Sequence, residues 1–199
     1  MSTAEDSGRS PLTKLYLTRG ILAVAWAVAF AQAYKNADAD AHAHAKLGAA
    51  AVVLLIAYPL LDAVSSAIDY KSVPDRITAF NGALSTATAI GLAVAGPHGV
   101  PATLATFGAW AVVSGAAQVA VGIRRRSPEL GKPELGKQWP MLIAGGLSFV
   151  VGIFYTAQAA GDKPSLSVLS VYATGGGVFF IVQAGLLVWK ARRGSVQPV

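Results

Sequence analysis

One acidic side chain lies at the inner part of a long apolar stretch. Asp62 follows Leu47 to Leu61, which contains no Asp, Glu, Lys or Arg. An ionised carboxylate in hydrocarbon costs about 2.5 kcal/mol or more, so the group needs a partner, water or a proton. Arg19, at the start of a neighbouring apolar stretch, is the nearest candidate partner. We therefore expect an Arg19–Asp62 ion pair that locks a helical hairpin, with a proton or ion relay through Asp62 as the alternative.

A second group of titratable residues alternates with alanine between Lys35 and Lys46. In an extended chain the acids and histidines would share one face, as in a site for zinc or a similar cation. In a helix, which alanine favours, they form two pairs on roughly opposite faces, and the four-ligand site is lost. A solvated polar loop is the simplest interpretation, and a pH-sensing loop is another, because histidine changes charge between about pH 5 and 8. The residues are Asp38, Asp40, His42 and His44, with His98 on the same predicted side.

The residue types needed for catalysis are not grouped in this sequence. Catalysis requires a nucleophile near a base, paired carboxylates or a metal centre. Ser65 and Ser66 lie near one end of an apolar stretch, whereas all three histidines are predicted on the opposite side. The chain has no cysteine, which excludes disulfides and thiolate metal sites. We predict a protein that is not an enzyme and has no catalytic residue and no cofactor.

Membrane helices are the elements predicted to position these residues. Of 199 residues, 54% are hydrophobic and 13% are charged, and the mean hydropathy is +0.52. Each apolar stretch is close to the 20 or so residues that a helix needs to cross about 30 Å of hydrocarbon. Glycine and proline at 96–101 break the chain between two stretches. The sequence predicts an all-α polytopic membrane protein with a disordered tail at 1–14, a membrane domain at 15–193, a tail at 194–199, and spans at about 15–34, 47–68, 77–95, 102–123, 139–160 and 166–189.

The distribution of lysine and arginine predicts the orientation. Of sixteen such residues, thirteen lie on one side of the predicted spans, and only Lys35, Lys46 and Lys163 lie on the other. The side rich in Lys and Arg faces the cytoplasm, so both termini are predicted there. A cleaved signal peptide is the alternative for the first span, because Ala29-Phe30-Ala31 has the shape of a cleavage site.

Several residues at the ends of spans are predicted to contact lipid. Arg124, Arg125 and Arg126 follow the fourth span and would anchor it at anionic head groups, each contributing about 1 kcal/mol. Tyr34 and Tyr155 fall near the outer boundary, where aromatic belts occur. The basic residues form no groove with aromatic residues, so the lipid bilayer is the predicted partner and nucleic acid is not.

Small residues recur inside the spans at helical or heptad spacing. They let helix backbones approach closely in a bilayer, where apolar surface alone does not drive association. We expect packing within the chain, with a homo-oligomer through the same faces as the alternative. The residues are Gly108, Gly115, Gly145, Ser148, Gly152, Gly175, Gly176 and Gly177.

Short related segments open spans one, three and five, and others recur in spans two, four and six. Three copies in order predict three repeated helical hairpins. The segments Arg19 to Ala23, Tyr58 to Ala63, Phe107 to Gly115 and Gly122 to Arg126 resemble those of the HdeD-like acid-resistance membrane proteins. The resemblance covers about residues 15–193.

The resemblance implies a bacterial inner-membrane protein with six spans, linked to acid or general stress, and it implies no reaction. The longer polar loop at 35–46 and Pro59 inside the second span depart from the pattern. A small transporter or channel subunit that uses Asp62 is the alternative function, because transporters place polar groups inside the membrane.

Overall fold

The computed structural model is all-helical in the residues that it describes, which are 11–35, 47–72, 76–124 and 135–194. Each of the six long helices is apolar enough to cross a membrane. The chain is therefore a multi-pass membrane protein, and the predicted fold class is confirmed. The helices are α1 Pro11–Lys35, α2 Ala49–Ser72, α3 Arg76–Ala95, α4 Val100–Arg124, α5 Leu135–Ala159 and α6 Ser167–Gly194.

The first and last helices extend beyond the predicted spans. α1 begins at Pro11, inside the segment predicted as a tail, and α6 continues to Gly194. Hydropathy detects only the apolar part of a helix, whereas backbone hydrogen bonding continues into polar flanks. Proline is well suited to the first turn of α1, because the N–H it lacks would have no partner within the helix. Residues 1–10 and 195–199 lie outside the described residues.

Large apolar side chains are exposed along the helices. Val171 is 74% exposed, Ile90 64% and Val53 63%. In a bilayer these side chains contact acyl chains, so their exposure carries none of the cost that it has in water. α4 differs from the other helices. Half of the residues in its most apolar segment are buried, compared with 17–28% in the corresponding segments of the other five. α4 is therefore the most enclosed of the six.

A glycine allows the tight turn between α3 and α4. Gly99 has a φ of 93°, in the left-handed region that residues with a Cβ avoid. Its N–H donates to the carbonyl of Gly96 at 3.2 Å, which closes a single 3-10 turn. Its carbonyl accepts the N–H and the hydroxyl of Thr103 at 3.3 and 2.9 Å, at the start of α4. The predicted break at 96–101 is confirmed.

The chain divides into two compact units. The terminal unit comprises Met1–Val28 and Leu169–Val199, and the central unit comprises Ala29–Val168. In the central unit, α4 packs most extensively on α5, and α3 contacts both α2 and α4. This packing does not test whether the hairpins are copies of one another, so the threefold repeat stays a prediction.

In the terminal unit, the first part of α1 packs against α6. A Cβ placed on Gly20 would lie 2.7 Å from the carbonyl oxygen of Gly177, so the two backbones approach closely there. The rings of Tyr16 and Phe180 are 5.8 Å apart between centroids. The guanidinium carbon of Arg19 lies 5.1 Å from the centre of the Phe180 ring, which is within the range of a cation–π interaction.

Four glycines with seven-residue spacing bring α4 and α5 together. A Cβ on Gly115 would lie 2.5 Å from the backbone nitrogen of Phe149 and 2.6 Å from the carbonyl oxygen of Gly145. A Cβ on Gly108 would lie 2.9 Å from the carbonyl oxygen of Gly152. Gly115 therefore lies opposite Gly145, and Gly108 opposite Gly152, as antiparallel helices require. No residue larger than glycine fits at these positions without separating the helices.

The other small residues of the predicted packing faces have different surroundings. Gly177 contacts α1, as described above. A Cβ on Gly175 or Gly176 would meet no atom within 4 Å. Ser148, on α5, is half-buried. Because the glycines of the α4–α5 pair are occupied within the chain, a homo-oligomer would have to use other surfaces, and it stays a prediction.

Two adjacent glycines of α5 provide a matched test of this packing. We expect Gly145→Ala to lower the free energy of unfolding by about 1–3 kcal/mol, because the added methyl overpacks a close contact. Its Cβ would lie 2.8 Å from the Cβ of Gln118 and 2.9 Å from the carbonyl oxygen of Gly115. Gly146→Ala meets no atom within 4 Å and should be neutral or stabilising, since alanine is the better helix former. Unfolding in detergent measures both, and equal effects would contradict the packing.

Candidate functional site

The interior faces of α2 and α3 become polar at the same end of the helix pair. On α2, the face that carries the buried Leu55 continues to Asp62 and Ser66. On α3, Asn81 and Ser85 occupy the facing positions. Each polar pair is spaced i,i+4, which places its two side chains on one side of a helix. The antiparallel packing of α2 and α3 therefore brings four polar side chains together.

The carboxylate of Asp62 accepts two hydrogen bonds from α3 at the same oxygen. Asn81 Nδ2 donates to Asp62 Oδ2 at 2.7 Å, and Ser85 Oγ donates to the same atom at 2.8 Å. Asn81 Nδ2 also donates to Ser66 Oγ at 2.9 Å. From α4, Trp110 Nε1 donates to Ser85 Oγ at 3.1 Å. We call these five side chains, from three helices, the Asp62 network.

Donors in the Asp62 network converge on the carboxylate. The indole N–H of Trp110 donates to Ser85, and Ser85 donates to Asp62, while Asn81 donates from the other side. Ser85 is fully buried, Ser66 and Trp110 nearly so, and Asp62 and Asn81 are half-buried. Hydrogen bonds to a charged group contribute about 1.5–3 kcal/mol each. This arrangement supplies inside the protein the donors that lipid lacks.

Packed aromatic rings hold Trp110 in the orientation that this network needs. The Trp110 ring meets the Phe107 ring edge to face, with centroids 5.1 Å apart. Tyr58 of α2 makes a second edge contact with Trp110, at 6.0 Å. Tyr155 of α5 lies 6.4 Å from Phe107. Offset and edge contacts of this kind stabilise a pair by about 0.5–1.5 kcal/mol beyond area burial, so the indole N–H is directed at Ser85 by its surroundings.

The predicted Arg19–Asp62 pair would join the two units. Arg19 belongs to the terminal unit, where it lies over the ring of Phe180. Asp62 belongs to the central unit and has the partners given above. The contacts within each unit do not test an interaction between them, and the ion pair stays a prediction.

Most of the predicted outer cluster of acids and histidines lies outside the described residues. Asp38, Asp40, His42 and His44 fall in the segment 36–46, which separates α1 from the described start of α2. His98 is exposed in the 3-10 turn before α4. Among the residues that the structure describes, no group of three His, Cys, Asp or Glu side chains could hold a metal. Metal binding and pH sensing by this loop stay predictions.

Among the residues predicted at the membrane boundaries, the arginines stay untested and the two tyrosines differ from the prediction. Arg124 is the last residue of α4, and Arg125 and Arg126 lie outside the described residues, so head-group anchoring stays a prediction. The aromatic-belt prediction is wrong for Tyr34 and Tyr155, because each is only 3% exposed. Neither ring faces lipid head groups.

The hydroxyls of these two tyrosines instead bind the backbone where α6 begins. Tyr34 Oη accepts the N–H of Leu166 at 3.2 Å. Tyr155 Oη donates to the carbonyl oxygen of Val168 at 2.9 Å. A buried tyrosine hydroxyl needs such a partner, and the first N–H groups of a helix lack partners within the helix. Tyrosines of α1 and α5 thus fix the α5–α6 connection within the central unit.

Asn81, Ser85 and Trp110 are not predicted as site residues from the sequence, and Ser66 is considered there only as a nucleophile. The available signal was a pair of polar residues at i,i+4 in each of two successive spans: Asp62 with Ser66, and Asn81 with Ser85. Polar residues inside spans are expensive and usually find each other. The sequence does not state which helix faces which, and that is what the structure adds.

Neighbouring residues of α3 provide a test of the Asp62 network. We expect Ser85→Ala to lower the free energy of unfolding by about 1–3 kcal/mol, because Asp62 loses a donor and the buried Trp110 N–H loses its acceptor. The control is Thr86→Val, at an exposed position where the hydroxyl donates only to its own helix, to the carbonyl of Gly82 at 2.8 Å. Unfolding in detergent measures both. If Ser85→Ala lowers the free energy of unfolding no more than Thr86→Val does, the Asp62 network does not stabilise the protein.

The comparisons with known proteins give no match. No protein-family model matches the chain, and no curated protein or solved structure does so either. The resemblance to HdeD-like proteins therefore depends on the sequence segments alone.

Proposed function

We propose that the chain is a small, non-catalytic protein of the bacterial cytoplasmic membrane, of the HdeD-like type and associated with survival of acid or general stress. Its six apolar helices support the membrane location. The excess of lysine and arginine on one side, thirteen against three, supports cytoplasmic termini, because positively charged segments are retained on that side.

The hydrogen bonding of the Asp62 carboxylate is the observation that best supports a non-catalytic role. Its oxygen accepts two hydrogen bonds from α3, and Ser85 links it to Trp110 of α4. A carboxylate whose donors come from neighbouring helices holds those helices in one register. This use of the only acidic group well inside a span is what a structural membrane protein requires.

The stress association rests on the resemblance to HdeD-like proteins. The Asp62 network supports this resemblance with a structural role for residues that carry it. Two of the segments that carry it contribute directly to the network: Tyr58 to Ala63 contains Asp62, and Phe107 to Gly115 contains Trp110. The polar residue of the α2 segment and the aromatic residue of the α4 segment then belong to one network around a single carboxylate. In this proposal the network maintains the bundle under conditions that weaken other polar contacts.

Survival after an acid shock tests the stress association. We expect bacteria that lack the gene to survive less well than cells that carry it, and the wild-type gene to restore survival. Asp62→Asn should not restore it, because a neutral amide oxygen accepts weaker hydrogen bonds than a carboxylate oxygen does, whereas Thr86→Val should. Membrane content of each variant is measured by immunoblot. Equal survival with and without the gene would refute the stress association.

Transport is the second candidate function, and the position of Asp62 favours it. Asp62 is half-buried rather than sealed, and Pro59, one turn earlier, interrupts the backbone hydrogen bonding of α2. Transporters use intramembrane carboxylates and interrupted helices in this way. Proteoliposomes with a pH gradient separate the two candidates. Flux that Asp62→Asn abolishes and Thr86→Val preserves favours transport, and absence of flux favours the structural role.

A further inference from the structure

We propose that the central unit contains a conformational relay that couples the α5–α6 connection, residues 160–166, to the Asp62 network. The relay consists of the rings of Tyr155, Phe107 and Trp110. A displacement of the connection would change the hydrogen bonding of Trp110 and, through it, that of the whole network. The proposal does not depend on the stress association or on transport.

The relay begins where α6 begins. Tyr155 Oη donates to the carbonyl oxygen of Val168 at 2.9 Å, and the Tyr155 side chain is only 3% exposed. When Val168 moves, the ring must follow it, or the hydroxyl loses this acceptor in a place with almost no access to solvent. Loss of a partner at a buried polar group is unfavourable. The position of the Tyr155 ring is therefore tied to the connection.

Phe107 transmits the position of Tyr155 to Trp110. Its side chain is fully buried, and its ring centre lies 6.4 Å from that of Tyr155 and 5.1 Å from that of Trp110. Tyr58 of α2 packs on another side of the same ring, with centroids 5.9 Å apart. Protein interiors are close-packed, so an enclosed ring cannot shift without displacing its neighbours. A movement of Tyr155 therefore reaches Trp110.

The hydrogen bond of Trp110 makes the far end of the relay respond in a discrete way. Indole has one donor and no acceptor, and Nε1 donates to Ser85 Oγ at 3.1 Å. Trp110 is only 6% exposed, so a rotation of its ring turns a buried N–H away from its acceptor, which is unfavourable. Ser85 Oγ in turn donates to Asp62 Oδ2 at 2.8 Å. Linked hydrogen bonds polarise each other, so a change in the first bond alters the second.

α4 is suited to carry this relay. Phe107 and Trp110 are three residues apart, which places them on one side of the helix. The helix packs on both α3 and α5, and the relay uses this central position. Gly108 and Gly115 bring its backbone close to that of α5. The two backbones are held together, and Tyr155 therefore stays in contact with Phe107.

The relay joins different depths of the membrane domain. Trp110 is ten residues after Val100, where α4 begins, which corresponds to about 15 Å along a helix that rises 1.5 Å per residue. The hydrocarbon layer is about 30 Å thick, so Trp110 lies near its middle, whereas Val168 lies at the start of α6. Lys163, in the connection, is one of the three cations on the side predicted to be outside. An event at this connection would thereby reach the middle of the membrane domain.

A double-mutant cycle on the full-length protein in detergent tests the coupling. Tyr155→Phe removes only a hydroxyl, and Ser85→Ala removes the acceptor of Trp110. Changes at independent sites multiply in their effects on the unfolding equilibrium constant. We expect the double variant to fall short of the product of the single effects by about fivefold or more, because the second change costs less once the first has broken the relay. Agreement with the product within about twofold overturns the proposal.

Tyr34 provides a matched control at the same connection. Its hydroxyl accepts the N–H of Leu166 at 3.2 Å, while its ring stacks on Phe30 of its own helix, with centroids 5.9 Å apart. Tyr34→Phe should weaken the connection as Tyr155→Phe does, but its effect should combine with that of Ser85→Ala as a simple product. If both tyrosines couple equally to Ser85, the transmission does not use the relay and the proposal is wrong.

Fluorescence of Trp110 reports on the relay in the folded protein. A background that leaves Trp110 as the remaining one of four tryptophans carries Trp26→Phe, Trp139→Phe and Trp189→Phe. In this background we expect Tyr155→Phe to shift the emission maximum, because the bond from the indole N–H to Ser85 changes, and Tyr34→Phe to leave it unchanged. An emission maximum that Tyr155→Phe does not alter overturns the proposal. Equal survival of acid shock with and without the gene would refute the stress association and leave these measurements unaffected.

Discussion

Lipid supplies no hydrogen bonds, and this constraint explains the internal structure of the chain. Every backbone polar group that enters a hydrocarbon layer must find its partner within the protein, and a charged side chain there is costly unless it is paired. The carboxylate of Asp62 has the greatest need for such partners, and its Oδ2 accepts hydrogen bonds from Asn81 and Ser85 of α3 at 2.7 and 2.8 Å. The packing of α2 against α3 therefore has a fixed register, because a shift of one residue would turn the donors away from the carboxylate.

The same constraint accounts for features away from Asp62. The hydroxyls of Tyr34 and Tyr155 bind backbone groups near the start of α6. Hydroxyls that face lipid, such as that of Thr86, bind the carbonyl one turn earlier in their own helix. Apolar surface drives little association between helices in a bilayer, so close backbone contact and polar bonds must do so. α4 combines both, with glycines facing α5 and Trp110 facing Ser85.

Particular residues show how far the sequence alone predicted this structure. The six helices, the break near Gly99 and the importance of Asp62 follow from hydropathy, from backbone conformation and from the cost of a carboxylate in lipid. The seven-residue spacing of Gly108 with Gly115, and of Gly145 with Gly152, indicated close packing, but the spacing is the same for packing within a chain and between chains. Asn81 was missed because an amide has no chemical signature of its own, and its role depends on which helix faces it. The belt prediction for Tyr34 failed because depth in a membrane does not specify whether a side chain points to lipid or to protein.

The register of α2 against α3 can be measured directly, because the chain has no cysteine. A Cβ on Gly82 would lie 3.4 Å from the Cβ of Ser66, close to the separation of about 3.5–4.5 Å in a disulfide. The account predicts that the double variant Ser66→Cys with Gly82→Cys forms a disulfide in membranes under mild oxidation, and that Ser66→Cys with Ala83→Cys, at the next and exposed position of α3, does not. A disulfide in the second variant and none in the first would show that α3 does not present Asn81 and Ser85 to Asp62.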